Sequence, residues 1–363
     1  MRVAVVFGGR SGEHEVSIES ARSLLDAIDS TKYDVLPVAI THEGTWLLAS
    51  PDALLTGTAT QERRILPTAE PSTSYDEAVI PERSGPASLV RQVDVVFPLV
   101  HGTFGEDGCL QGVCELADLP YVGSNVLASA VGMDKITMKA VFLARGLPVL
   151  DFIGIRRSDW ERGPDEIAEE IGGRFGFPCF VKPSNLGSSV GISKVPDASQ
   201  LGAAIDLAAE FSSRIIIERA ATVRELECGV LGNDVPTASV VGEVRPSREY
   251  YDYEAKYQDS GTQFDIPADI APETADRVRS LAIEAFQAIG ASGMARVDFF
   301  LERSTNNVYL NEINTIPGFT GMSVYPRLWA ASGVPYQQLI NQLIEFAIDR
   351  HADQSRNRTR YGQ

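Results

Sequence analysis

The opening segment constrains the fold more than any other. Residues 3–7, Val-Ala-Val-Val-Phe, are apolar without interruption, and Gly8-Gly9 closes the run at once. A short, non-alternating apolar run closed by glycines reads as a buried strand, and it is too short for a signal-peptide core. Polar and apolar residues then follow at helical spacing through about Leu25. Residues 35–40 and 93–98 are further apolar runs of strand length. Strands separated by helical segments predict an α/β fold whose N-terminal part is a parallel sheet with helices on its faces.

The 363 residues suggest two or three domains at roughly 150 residues each. Hydrophobic residues make up 44%, enough for a sizeable core. The net charge of −17 argues against a broad nucleic-acid-binding face, although a few cations in a cleft can still hold a small anion. Cys109, Cys114, Cys179 and Cys228 form no CxxC pair, which suits reduced thiols and a cytoplasmic setting. No stretch approaches the ~18 apolar residues of a membrane span.

Residues 49–92, rich in Pro, Ser, Thr and Ala, read as a surface insertion. A helix at 134–144 stops at Gly146 with Pro148 beyond. The pattern then predicts helix 164–172, strands 179–182 and 190–194, helix 198–210 and strand 214–218. Strands at 225–231 and 238–244 follow, then an aromatic loop, helix 272–289, a hairpin at 295–314 and a last helix at 335–349. The tail from His351 reads as polar and frayed.

The hairpin carries the most chemistry. Arg296 and Asp298 share one strand face, as do Glu312 and Asn314, because strand side chains alternate. Symmetry about Thr305 sets Asp298 opposite Glu312 and Arg296 opposite Asn314. Opposed carboxylates repel. Either a divalent cation held by oxygen ligands lies between them, or the register differs and the face is merely solvated.

Four other segments stand out. Strand 179–182 delivers Lys182 to a loop of Gly187, Ser188 and Ser189, which is either a phosphate cradle or a plain hairpin. It is not a Walker A loop, and Lys135 supplies a second cation nearby. The turn Gly8-Gly-Arg-Ser-Gly-Glu-His-Glu15 joins strand to helix, where acidic residues also offset the helix dipole. It lacks the GxGxxG of a dinucleotide fold. His101 opens the loop HGTFGEDG after a parallel strand, where open sheets place ligands, and it either orients a substrate or satisfies a buried hydrogen bond. Residues 250–257, with four tyrosines and Lys256, form either a lid or a surface patch.

Taken in order, GGRSGEHEVS, HGTFGEDG, MDKITMK, VKPSNLGSSVGISKV, YDYEAKY, ARVDFF and LNEINTIPGFT resemble the D-alanine–D-alanine ligases of the ATP-grasp superfamily. The resemblance implies three domains, at 1–128, 129–218 and 219–350, with a polar tail at 351–363, and a homodimer. It implies a cytoplasmic enzyme that makes D-alanyl-D-alanine for peptidoglycan through a D-alanyl phosphate.

ATP would lie between the second and third domains. Lys135, Lys182 and the 187–189 loop would hold its phosphates, Glu218 the adenine hinge and Glu225 the ribose. Asp298, Glu312 and Asn314 would hold two Mg²⁺ (or Mn²⁺) ions. Glu15 would hold the first D-alanine's ammonium, with His101 nearby. Arg296 and the Gly318 N–H would stabilise the oxyanion, and Lys256 and Ser323 would receive the second carboxylate. Ser188, Tyr257 and Glu15 would tie lid to site. Tyr257 favours an amine acceptor over D-lactate, and Arg219 stands where the family commonly has lysine. The competing readings are a ligase with another acceptor, such as D-lactate, and a nucleotide-binding sensor without chemistry.

Overall fold

The computed structural model describes residues 1–49, 93–188, 190–245 and 262–358. Three sheets organise them. The first has the order β3-β2-β1-β4, from β1 (Arg2–Gly8), β2 (Asp34–Ile40), β3 (Trp46–Leu48) and β4 (Val95–Pro98). β1 runs parallel to both β2 and β4, and the short edge strand β3 is antiparallel. Residues 3–7 are wholly inaccessible, as an uninterrupted apolar run in a covered parallel strand should be.

The second sheet, order β5-β8-β6-β7, is antiparallel: β5 (Phe152–Arg156), β6 (Cys179–Pro183), β7 (Ser193–Val195) and β8 (Arg214–Arg219). Here β7 starts later than the strand expected at 190–194. Gly191 has φ +71°, a left-handed turn conformation that a strand cannot contain, and a Cβ there would lie 2.9 Å from Pro183. The sheet packs on helices Pro164–Arg174 and Leu201–Phe211 through an isoleucine-rich core of its own.

The third sheet, order β11-β10-β9-β12-β13, is also antiparallel. It comprises β9 (Val223–Gly232), β10 (Thr237–Arg245), β11 (Gln263–Asp265), β12 (Gly293–Glu302) and β13 (Val308–Asn314). Helix Pro272–Ala288 covers one face. Helices Val324–Ala331 and Tyr336–Gln354 lie on the other and carry its core into that of the first sheet, where Phe7 and Phe97 meet Phe319, Tyr325 and Leu339. The last helix therefore does not fray at His351 but runs to Gln354. Inside it, Arg350 donates to the Tyr121 carbonyl and the Ser292 hydroxyl and stacks on the Tyr121 ring.

The β12–β13 hairpin has the expected pairs at its far end, for a reason the symmetry argument did not contain. Next to the turn, Leu301 faces Val308 and Phe299 faces Leu310. Continued unbroken, that register would set Asn311 opposite Asp298. A bulge at Asn311 adds one residue, so that Asp298 faces Glu312 and Arg296 faces Asn314. Leu310 and Ile313, three apart, both reach the core as a result.

Candidate active site

Two adjoining cavities occupy the space where the three sheets meet. The larger, about 1030 Å³, is lined by β6, the 186–188 loop, β8, the 219–227 segment and β12–β13. The smaller, about 370 Å³, lies between the N-terminal turn, the 101–106 loop and residues 314–324. Lys135, Gly187, Ser188, Arg296 and Glu312 line both.

In the larger cavity Lys182 stands on β6, its Nζ 2.5 Å from a carboxylate oxygen of Glu218 on β8. Lys139, 1% exposed, faces the other oxygen from helix Lys135–Ala144. Burial alone would push the Glu218 carboxyl up, but the two ammonium groups outweigh it and hold the group at about 2. Burial likewise pulls Lys139 down, and Glu218 offsets this only in part. The Glu218 side chain is thus engaged by lysines. Glu225 lines the same cavity.

At the junction, Arg296 grips Asp298 through two hydrogen bonds of 2.7 Å and lies 3.2 Å from Glu227. These carboxylates hold the half-buried guanidinium firmly charged against its desolvation. Asn314 donates to Asp298 at 3.1 Å, and Lys135 Nζ sits 3.2 Å from Glu312 while donating to the Leu186 carbonyl. Two opposed carboxylates and an amide oxygen make an all-oxygen donor set, which fits a hard divalent cation. Arg296 and Lys135 balance the same charges from the protein's side.

In the smaller cavity the structure corrects one expectation. Glu13, not Glu15, faces the site. Glu13 caps helix His14–Ala27, and its carboxylate accepts a 2.5 Å hydrogen bond from Ser188 Oγ. Glu15 lies two residues on and is exposed. Two residues along a helix rotate a side chain by about 200°, so the two glutamates cannot share a face. Gly102 lets the 101–106 loop close on Glu13: a Cβ there would come within 2.7 Å of Glu13 Oε2. Ser188 itself has φ +53°, a left-handed conformation costly for serine, which directs its hydroxyl across the gap.

His101 is 3% exposed and joins three elements. Its Nδ1–H donates to the Ile316 carbonyl at 3.0 Å, and Nε2 lies 3.0 Å from Ser20 Oγ. Burial pushes the imidazole down, so the ring is neutral near pH 7. Glu106, five residues along the same loop, was not singled out by the sequence. It accepts from the Gly102 and Ile316 N–H groups, and burial together with the nearby Glu13 charge raises its carboxyl to about 8. Gly318 and Ser323 line the cavity's far wall, Ser323 as the N-cap of helix Val324–Ala331. Ser189, Lys256, Tyr257 and most of the 49–92 segment lie outside the described residues.

Models of the D-Ala–D-Ala ligase N-terminus and C-terminus match residues 2–124 and 141–345. The chain belongs to the D-alanine–D-alanine ligase family. It is 48% identical to the D-alanine–D-alanine ligase of Solibacter usitatus over 351 residues, with 97% of this chain and 96% of that one covered. Identity to the Geobacillus thermodenitrificans ligase is 46% over 360 residues, with 97% and 96% covered. Among solved structures, the D-alanine–D-alanine ligase from Coxiella burnetii superposes with TM-score 0.84 at 38% identity, covering 98% of this chain and 96% of that one. VanG D-Ala:D-Ser ligase from Enterococcus faecalis gives 0.82 at 34%, with 95% and 99% covered. The mixed α/β architecture is therefore of the ATP-grasp type, and the chain is an ATP-dependent ligase that uses a divalent metal.

Proposed function

We propose that this protein joins two D-alanines to D-alanyl-D-alanine, with ATP converted to ADP and phosphate, in peptidoglycan precursor synthesis. One observation supports this reading above the others. The large and small cavities share Lys135, Ser188, Arg296 and Glu312, so a nucleotide in the first abuts an amino acid in the second.

A carboxylate is a poor acyl donor. In the reading we favour, an oxygen of the first D-alanine's carboxylate attacks the γ-phosphorus, the bond to ADP breaks, and D-alanyl phosphate forms. Lys135 and Lys182 neutralise charge on the phosphates as it moves. Asp298, Glu312 and Asn314 would hold two Mg²⁺ ions, which when bound supply further charge neutralisation. Glu13 holds the first ammonium, with Glu106 and neutral His101 fixing the loop around it. The second D-alanine's amine then attacks the acyl carbon, and the carbon–oxygen bond to phosphate breaks. Arg296 and the Gly318 N–H stabilise the oxyanion between these events, where one donor is typically worth about 10²–10³ in rate. Ser323 and, on the sequence, Lys256 receive the second carboxylate. Ser188 and Glu13 tie the loop to the site, which keeps water from the acyl phosphate; on the sequence alone, Tyr257 would join them.

The second sheet, from Phe152 to Arg219, supports a division near residue 218, whereas Ala128, Met138, Phe142 and Leu147 pack in the core of the third sheet. Among the described residues no helix is long and apolar enough to cross a membrane, and the family resemblance supports a cytoplasmic homodimer.

The test is phosphate release with ATP and Mg²⁺, with products identified by mass. D-Alanine, L-alanine, and D-alanine mixed with D-lactate or D-serine are the substrates. D-Alanyl-D-alanine from the D-isomer alone is expected, and it should stay the main product in both mixtures. A depsipeptide or D-alanyl-D-serine as the main product would overturn the acceptor assignment, and nucleotide binding without turnover would overturn the reaction.

A further inference from the structure

On the solvent side of the N-terminal turn, away from both cavities, three ligand-type side chains converge. His14 and Glu15 begin the first helix, and His42 lies between β2 and β3. One ring nitrogen or carboxylate oxygen from each falls within 4.8 Å of the others. The two imidazoles stack with centroids 3.8 Å apart and planes 23° from parallel, so the exposed His42 ring has to turn out of the stack for its in-plane lone pair to meet that of His14 at one ion.

His14 is already oriented as a ligand. It is 3% exposed, and its Nδ1 lies 2.7 Å from the Gly9 carbonyl. A carbonyl only accepts, so Nδ1 carries the hydrogen and Nε2 keeps its lone pair. Ligating histidines are commonly fixed in this way, through the other ring nitrogen to a backbone carbonyl. The bare backbone of Gly8 leaves room for the ring, since a Cβ there would lie 3.1 Å from His14 Cε1. His42 and Glu15 are exposed, which opens the cluster to solvent. Arg10, in the same turn, is directed elsewhere, with its guanidinium 4.8 Å from the centre of the Phe104 ring.

We propose that His14, Glu15 and His42 bind a divalent transition-metal ion of the Zn²⁺ type, at a site separate from the oxygen-lined one in the active centre. Two imidazoles and one carboxylate are borderline-soft donors that suit Zn²⁺, with water completing a tetrahedron. The magnesium site offers oxygen only, so donor chemistry separates the two. An ion here also links the β2–β3 connection to the helix whose cap is Glu13, and so braces the turn that presents Glu13 to the active centre.

The probe is Zn²⁺, titrated calorimetrically into the full chain with Mg²⁺ saturating so that the oxygen site is filled, with thermal unfolding followed in parallel. One Zn²⁺ per chain and a raised Tm are expected. His42→Ala, a change at an exposed position, should leave the zinc-free Tm in place. It should weaken zinc binding by at least about tenfold, the loss that even an outer-shell change brings, and abolish the Tm rise. His351→Ala should retain both. Unaltered affinity in His42→Ala would overturn the proposal. So would the absence of binding in the parent chain, or binding lost instead in Cys109→Ser, which removes the exposed thiol.

Discussion

Glu13 and Glu15 flank His14 in a turn where either glutamate suits the helix dipole equally well. Only the helix start tells them apart. Glu13 is the cap and points back across the turn to Ser188, whereas Glu15 belongs to the helix and points to solvent. Replacing Glu13 by Gln keeps its size and removes a charged hydrogen-bond partner, a loss of about 1.5–3 kcal/mol. Steady-state assays of Glu13→Gln should therefore show kcat/KM for D-alanine reduced by roughly ten- to hundredfold. Loss in Glu15→Gln, with Glu13→Gln unimpaired, would contradict the assignment. Lys139 was hidden differently. The residues that follow it in its helix are all apolar, and a lysine beside such a run reads as surface. The available signal was its spacing: Lys135 and Lys139 are four apart, hence on one helix face, and both reach carboxylates.

At the scale of elements, strands and helices with strong periodicity were legible, and their junctions were less so. The β12–β13 pairing was legible from the sequence, yet the symmetry behind it was wrong. Pairing near the turn is centred half a residue earlier, and the bulge at Asn311 restores the expected partners. The clue was the apolar spacing. Leu310 and Ile313 cannot both face one core from a regular strand, because strand side chains repeat every two residues. Deleting Asn311 restores strict alternation: Leu310 inward, Glu312 outward, Ile313 inward. The deletion should therefore leave Tm within a few degrees of the parent. Bulges increase local twist and re-aim side chains. Turnover should consequently fall by more than about tenfold as Glu312 shifts against Asp298 and Lys135. Unchanged turnover would show that the bulge does not aim Glu312. Loss of the folded state would show that it carries the sheet instead. The expected strand at 190–194 failed on one backbone angle at Gly191, which composition cannot reveal.

Across the whole molecule, the parallel first sheet was legible because burial on both faces leaves an uninterrupted apolar run. The return of the chain was not. Helix Tyr336–Gln354 completes the core of the first sheet from the far end of the sequence, and such packing leaves no local pattern. His101 and Glu106 meet Ile316 across the same divide, so the N-terminal and C-terminal parts fix one another around the small cavity. The second sheet has its own core and meets them over the large cavity. Arg296 lines both cavities, and in the proposed reaction a phosphate donor in the large one and a carboxylate acceptor in the small one meet beside it, with phosphoryl transfer to that carboxylate preceding peptide formation. The most direct measurement supplies D-alanine labelled with ¹⁸O in both carboxylate oxygens, with unlabelled ATP and water, and determines the mass of the released phosphate. Transfer through an acyl phosphate carries one carboxylate oxygen into each phosphate, so singly labelled phosphate should form in step with dipeptide. Unlabelled phosphate accompanying normal dipeptide formation would contradict the account.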